Sequence, residues 1–470
     1  MPSRPSTLDL LTADVRSLQS LLDNGSITSE DLIDLYLSQV RKHNDVLHAV
    51  IETAPKELLL GRAEELDQER RAGKIRSPLH GIPVLIKLIE SGAIILGKTN
   101  LSEFANWRGV MLVSGWSGVG GQVQSAYVRG GVQYDDGKDG HSNPSGSSSG
   151  SAVAVSAGFS PVAIGTESDG SLICPAGRAA LYTIKPTIGL VPQDGVIPAS
   201  LVVDSAGPMA KSVYDLAALL DVISKPESPF VSHLNGSWEE LSVATLDTHL
   251  WKFPDSFIKP IAEAEEQIHS EIAAAYATIK SKAKKFVENV PLTTIDAFDY
   301  KGENAEITVV KADMKRLLND YLTNYLEQSK VRSLEEIIEF NKLHENEELP
   351  AWHDNQDFFL QTQEGQLSSE DYEDRLAYLR RISRDEGIDY ILKEYDVDVI
   401  IGPADSFITS LAAASGYPIA GMPLTYLNFN GRPLGLAALA GKNQDALLVR
   451  MMSAWEATFP KRKPPPGLVE

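Results

Sequence analysis

The chain has 470 residues, 43% hydrophobic and 23% charged. This is ordinary globular usage and excludes disorder, collagen and coiled coil as descriptions of the whole. With 43 Lys and Arg against 64 Asp and Glu, the net charge is −21, the wrong sign for a protein whose main partner is a nucleic-acid backbone. The lone cysteine, Cys174, excludes an internal disulfide, and no Cys/His cluster has zinc spacing.

The N-terminal residues contain no apolar signal core, the final GLVE is no lipidation signal, and no stretch reaches 18 apolar residues. The expectation is a soluble cytoplasmic protein that contacts no membrane. Residues 8–52 predict two helices. Thr28 caps the second, with Asp31 three residues on, and Leu32, Ile33, Tyr36 and Val40 share one face. Residues 57–73 predict a charged helix. From His80 to about Leu220 short apolar runs alternate with Gly and Ser turns, the texture of buried strands in an α/β core. Residues 225–395 are helix-rich and charged, and Ser333 with Glu336 forms a capping box. Val397–Ile401 predicts a short strand, and the remainder returns to the small-residue texture of the core. The organisation read from this is one α/β domain over 1–470. It comprises N-terminal helices (1–75), a core (80–220), a helical variable insertion (225–395) and a return to the core (396–470).

Two Gly/Ser segments can carry chemistry. The run Pro144–Ser151 leads straight into Ala152-Val153-Ala154-Val155, so it can bring backbone amides and hydroxyls to one point at a helix start. No Lys-Ser/Thr pair follows, which argues against a phosphate loop. Gly146-Ser147-Ser148-Ser149-Gly150 fits G-x-S-x-G around Ser148, but Asn143-Pro144 breaks the strand that a nucleophile elbow needs. By composition alone the run also fits a flexible linker. The second segment, Gly165-Thr166-Glu167-Ser168-Asp169-Gly170-Ser171, follows the strand-like SPVAI. It would place a reactive hydroxyl beside several free amides, although such a turn is often just a connection.

The stretch from Ser145 to Pro192, SGSSSGSAVAVSAGFSPVAIGTESDGSLICPAGRAALYTIKPTIGLVP, closely resembles the signature region of the amidase signature family. Further family-like text is GSITSEDLIDLYLSQV, GIPV-x-x-K, Gly92–Asn106, DSAGPMAKSVYDLAALL at 204–220 and the closing AWEATFPKRKPP. The helical middle matches loosely. The resemblance implies an α/β/α sandwich with a large mixed central sheet. It also implies hydrolysis of a small-molecule carboxylic amide by a Ser–Ser–Lys triad, without cofactor or metal. By position in the signature, Ser171 is the nucleophile, Ser147, 24 residues earlier, the bridging serine held by a cis peptide in the family, and Lys87 the base. The backbone amides of Ser168, Asp169, Gly170 and Ser171 then form the oxyanion hole. A neutral lysine can take a serine proton if burial lowers its pKa, and a second serine can relay it.

Three departures stand out. Ser145 and Ser149 replace signature glycines. Asp169 stands where the family usually has Gly, and Asp tolerates positive φ. Most seriously, Lys87 runs directly into Leu88-Ile89-Glu90-Ser91-Gly92, which reads as a deletion. If Pro83–Lys87 and Ala93–Gly97 are parallel neighbours, the crossover is shorter than the usual dozen residues. The alternative is a single helix over Pro83–Ser91, with Lys87 on its polar side. Lys98, Lys185 and Lys211 match other family positions and are poor substitutes. The deletion leaves an impaired or inactive homologue as a second reading, and the glutaminase-type subunit of an aminoacyl-tRNA amidotransferase as a third. Whether the chain forms a homo-oligomer is left open by the sequence.

Overall fold

The computed structural model describes residues 8–85, 91–326 and 329–469. Some of its helices start where side chains satisfy the first free amides. Asp14 and Ser17 close a capping box ahead of α1 (Val15–Asp23), and Thr28 and Asp31 close the expected one ahead of α2 (Ser29–Leu47). Helix α2 buries Leu32, Ile33, Tyr36 and Val40, as their spacing predicts. The two-helix reading of 8–52 omits strand β1 (Val50–Thr53), which α2 leads into. Helix α3 follows at Lys56–Arg71. Ser333 caps Leu334–Leu343 by accepting from the Glu336 amide, but Glu336 turns its carboxylate to the Arg332 amide, so only half of that box forms.

Ten further strands complete one mixed sheet with β1: β2 (Pro83–Leu85), β3 (Ile94–Thr99), β4 (Val162–Glu167), β5 (Tyr182–Lys185), β6 (Ser205–Ala210), β7 (Ser242–Thr245), β8 (Lys285–Val287), β9 (Val399–Pro403), β10 (Ile419–Tyr426) and β11 (Pro433–Leu439). Their spatial order is β1-β3-β2-β4-β6-β5-β10-β11-β9-β7-β8. Strands β5, β6, β9 and β11 are buried along their whole length. This is why β6, β9 and β11 are continuous apolar or small-residue runs rather than alternating ones, while β5 buries Thr183 and Lys185 as well. Alternate side chains go to opposite faces. Val399, Ile401, Leu436 and Ala438 join the core under the N-terminal helices, while Ile400, Ala437 and Leu439 join the core under Leu379, Ile382 and Leu411. The result is the expected α/β/α arrangement. Strands β7 and β8 come from inside 225–395, so that segment is not purely an outer helical layer. Both margins of the sheet are short: β1 has four residues with a register shift between Val50 and Glu52, and β8 has three.

The join after Pro83 forms as paired strands. β2 runs parallel to β3 in the register Pro83↔Ile94 and Val84↔Ile95, and parallel to β4 at Val84↔Val162. The single-helix reading of Pro83–Ser91 therefore fails at its first turn. A crossover shorter than a dozen residues suffices because β2 is only three residues long, about 10 Å to retrace. Residues 86–93 supply eight residues of chain for it, with a reach of roughly 27 Å. Lys87 lies outside the described residues.

Candidate active site

Two bends meet at the ends of β4 and helix α4 (Ser149–Ser156). The first is Ser145-Gly146-Ser147. Ser145 and Gly146 both take left-handed backbone, at φ +60° and +58°. Of the replaced glycines, Ser145 is thus the one whose position demands that region, and side chains secure it. The Ser145 amide donates to Asn143 Oδ1 (2.8 Å) and its hydroxyl to Asp139 Oδ1 (2.9 Å). Ser102 holds the next two residues: its Oγ donates to the Gly146 carbonyl (3.0 Å) and its amide to the Ser147 carbonyl (3.0 Å). Ser148 Oγ donates to the Thr166 carbonyl (2.9 Å) and accepts from the Thr166 amide (3.0 Å). It comes this close because Gly165 has no side chain, and a Cβ there would lie 2.6 Å from that oxygen. With its hydroxyl tied to β4 and no strand before it, Ser148 is not at a nucleophile elbow.

The second bend, Ser168–Ser171, joins β4 to helix α5 (Ile173–Gly177). Gly170 takes φ +74°, and Asp169 does not adopt positive φ. The tolerance of Asp for that region is therefore not called on, because the glycine one residue later makes the turn. Glu167 Oε2 accepts from the amides of Leu172 (2.6 Å) and Ile173 (2.9 Å), and burial raises this carboxyl well into the neutral range. The four amides in between, of Ser168, Asp169, Gly170 and Ser171, have no acceptor among the described residues. Those are the groups expected for the oxyanion hole. Ser168 Oγ donates to Asp204 (2.5 Å), whose carboxyl burial pushes up to about 6. Asp169 accepts from Ser410 Oγ (2.6 Å), and burial also raises its pKa.

The bends touch directly: the Ser148 amide donates to the Ser171 carbonyl at 3.2 Å. Ser147 and Ser171 are both buried, at 3% and 7% exposure, and neither hydroxyl has a hydrogen-bond partner among the described residues. The cis peptide expected at Ser147 is not found, and all peptide bonds of the described residues are trans.

Lys185 and Lys211, two of the family-position lysines, have a lowered pKa but face elsewhere. Lys185 is fully buried and lowered to about 8 by burial, yet its Nζ donates to the Tyr417 carbonyl (3.0 Å). Lys211, lowered by burial to about 7, donates to the Leu10 carbonyl (2.9 Å). Lys98 is exposed on β3.

Sequence reasoning missed the supporting residues Ser102, Asp139, Glu167, Arg178 and Asp204. A buried Asp or Glu beside a Gly/Ser turn is the available signal, because such a carboxylate must find donors. A cavity of about 1580 Å³ opens beside Ser147, Ser148 and Ser151, larger than the ~300–1,000 Å³ of ordinary ligand pockets. Its other walls include Ile164, Val191, Val222 and Met314, and also Ser77 and Ser91, which bracket the join after β2. Ser171 is not among its walls. No helix of the described residues is long and apolar enough to cross a membrane.

The family model for amidases matches residues 87–449. The chain belongs to the amidase family. It is thereby an amide hydrolase by class. Over 505 aligned residues it is 30% identical to a probable amidase of Arabidopsis thaliana, covering 98% of this chain and 92% of the relative. The crystal structure of native peptide amidase from Stenotrophomonas maltophilia superposes with a TM-score of 0.84 at 31% identity, covering 96% of this chain and 98% of that one. A glutamyl-tRNA(Gln) amidotransferase subunit of Natranaerobius thermophilus is 28% identical, but over only 55% of this chain and 57% of its own length.

Proposed function

We propose that this amidase cleaves a carboxylic amide to an acid and ammonia or an amine through an acyl-enzyme at Ser171. The observation that carries the reading is the turn of four consecutive amides, 168–171, without acceptors among the described residues, ending at a buried serine whose hydroxyl has no partner among them. Ser171 Oγ attacks the amide carbon, and its proton passes to Ser147 Oγ as the Ser147 proton passes to the neutral amine of Lys87. The oxygen that gains charge lies against the free amides, where fixed donors need no reorganisation. Collapse expels the amine with the returned proton, and water then repeats the sequence on the ester.

The likeness to peptide amidase supports including peptide and amino-acid amides in the substrate panel. The 505-residue alignment and the cavity beside the β2–β3 join support the reading that relatives carry residues after Lys87 that this chain lacks. The whole chain is taken as one cytoplasmic domain in this proposal. The test is a fluorophosphonate probe on the folded protein, followed by hydrolysis of aliphatic, aryl and peptide amides. Labelling at Ser171 that Ser171→Ala abolishes is expected. A folded protein with neither labelling nor turnover supports the inactive homologue instead. Glutamine-dependent ammonia release only with a co-purified partner supports the amidotransferase reading.

A further inference from the structure

Arg178 lies seven residues after Ser171, at the end of α5, and is 2% exposed. Its guanidinium does not stay with its own helix. One terminal nitrogen donates to the Gly140 carbonyl (2.6 Å) and the Asn143 carbonyl (3.2 Å), and the other to the Asp139 carbonyl (2.7 Å). Nε donates to both oxygens of Asp405 (3.1 and 3.3 Å), the first acidic residue after β9. Asp405 is also paired with Arg432, which is 1% exposed.

The three carbonyls belong to the segment that builds the bend at Ser147. Asp139 receives the Ser145 hydroxyl and Asn143 receives the Ser145 amide, and Ser145 is the residue held in left-handed backbone. One planar fork therefore joins the end of the helix that follows Ser171 to the loop that ends at Ser147. A lysine has a single nitrogen and cannot span three carbonyls and a carboxylate at once.

We propose that Arg178 is a positioning residue that sets the Ser147 hydroxyl against Ser171 through the carbonyls of Asp139, Gly140 and Asn143. This rests on the Ser147–Ser171 reading above. A relay between two hydroxyls is sensitive to small displacements: a misplacement of about 1 Å can cost on the order of 100-fold in rate.

The experiment is a double-mutant cycle read by the fluorophosphonate labelling rate of Ser171 and by kcat and KM for an amide that the protein turns over. Arg178→Lys is expected to slow labelling and kcat by about 100-fold with KM little changed. In the Ser147→Ala background it is expected to add no further loss, because its effect runs through Ser147. A purely stabilising role would lower the melting temperature and leave labelling of the folded protein unchanged. Equal labelling rates for folded wild type and Arg178→Lys, or losses that simply add, overturn the inference. If Arg178→Lys does not fold, Asp405→Asn, which keeps the fork and weakens its anchor, takes its place in the cycle. A wild-type protein that is not labelled at Ser171 overturns the amidase mechanism itself, and this inference with it.

Discussion

The Ser148 amide reaches the Ser171 carbonyl across 3.2 Å, so the residue after one candidate hydroxyl is hydrogen-bonded to the residue bearing the other. Residues 24 positions apart are in this way set by the backbone. The side chain of Ser148 faces away, to Thr166. These two facts separate what Ser148 does for structure from the chemistry proposed for Ser171.

Ser148→Ala removes a hydroxyl that serves both backbone groups of Thr166. Leaving them unpaired should cost about 1–3 kcal/mol of stability, seen as a lower midpoint in urea. Probe labelling at Ser171 should persist in the folded variant, whereas Ser171→Ala should abolish it. Loss of labelling in Ser148→Ala at full folding would return the nucleophile elbow to consideration.

Gly170→Ala forces a side chain into left-handed backbone at φ +74°, with its Cβ 3.1 Å from Cys174 Sγ and 3.3 Å from Thr409 Oγ1. The backbone term alone is worth about 1–2 kcal/mol. The turn should relax by moving the amides of 169–171, so turnover should fall even where the protein stays folded. Circular dichroism together with steady-state rates checks both parts.

Lys87→Ala should lower turnover by about three powers of ten or more, as losing one member of a cooperating catalytic set does. KM should change much less. Unchanged turnover would make Lys87 a bystander and leave Ser147 in need of another base.

His141 is buried beside Arg432 and Arg178. Burial first, and then those two positive charges, lower its pKa to about 3. The ordinary value is 6.5, so between about 6.5 and 3 the unfolded chain binds a proton that the folded one refuses. His141 thus contributes stability that is fully present above about pH 6.5 and is lost as pH falls towards 3. The slope is at most about 1.4 kcal/mol per pH unit. Asp204, raised by burial, works in the opposite direction between its ordinary 3.8 and about 6. The difference between wild type and His141→Leu isolates the histidine: the wild-type denaturation midpoint should fall relative to the variant's as pH drops from about 6.5 towards 3. Parallel curves would show that His141 titrates normally.

How much of this was legible in the sequence follows from how local each cause is. The α2 capping box and the apolar face Leu32–Val40 are set by residues within a few turns, and both form as read. Strand β7, Ser-Val-Ala-Thr, is four residues long and owes its place to Val243 pairing with Val399, a partner more than 150 residues away. Pro83–Leu85 fits a short strand and a helix start equally well by pattern, and the neighbours β3 and β4 decide it. The turn holding Ser171 was legible as a turn, and the chemistry proposed for it rests on a resemblance. Asp405 was not legible as the shared anchor of Arg178 and Arg432, because residue type alone cannot tell which of 64 acidic side chains lies buried between two guanidinium groups.

The short margins of the sheet have a consequence for handling the protein. An open strand edge is a template on which another chain can add and begin to aggregate. Here β1 offers four residues with an irregular register, and β8 three, so eleven strands end in two poor templates. Clumping of this protein on storage should therefore begin from partly unfolded molecules and not from native ones joining edge to edge.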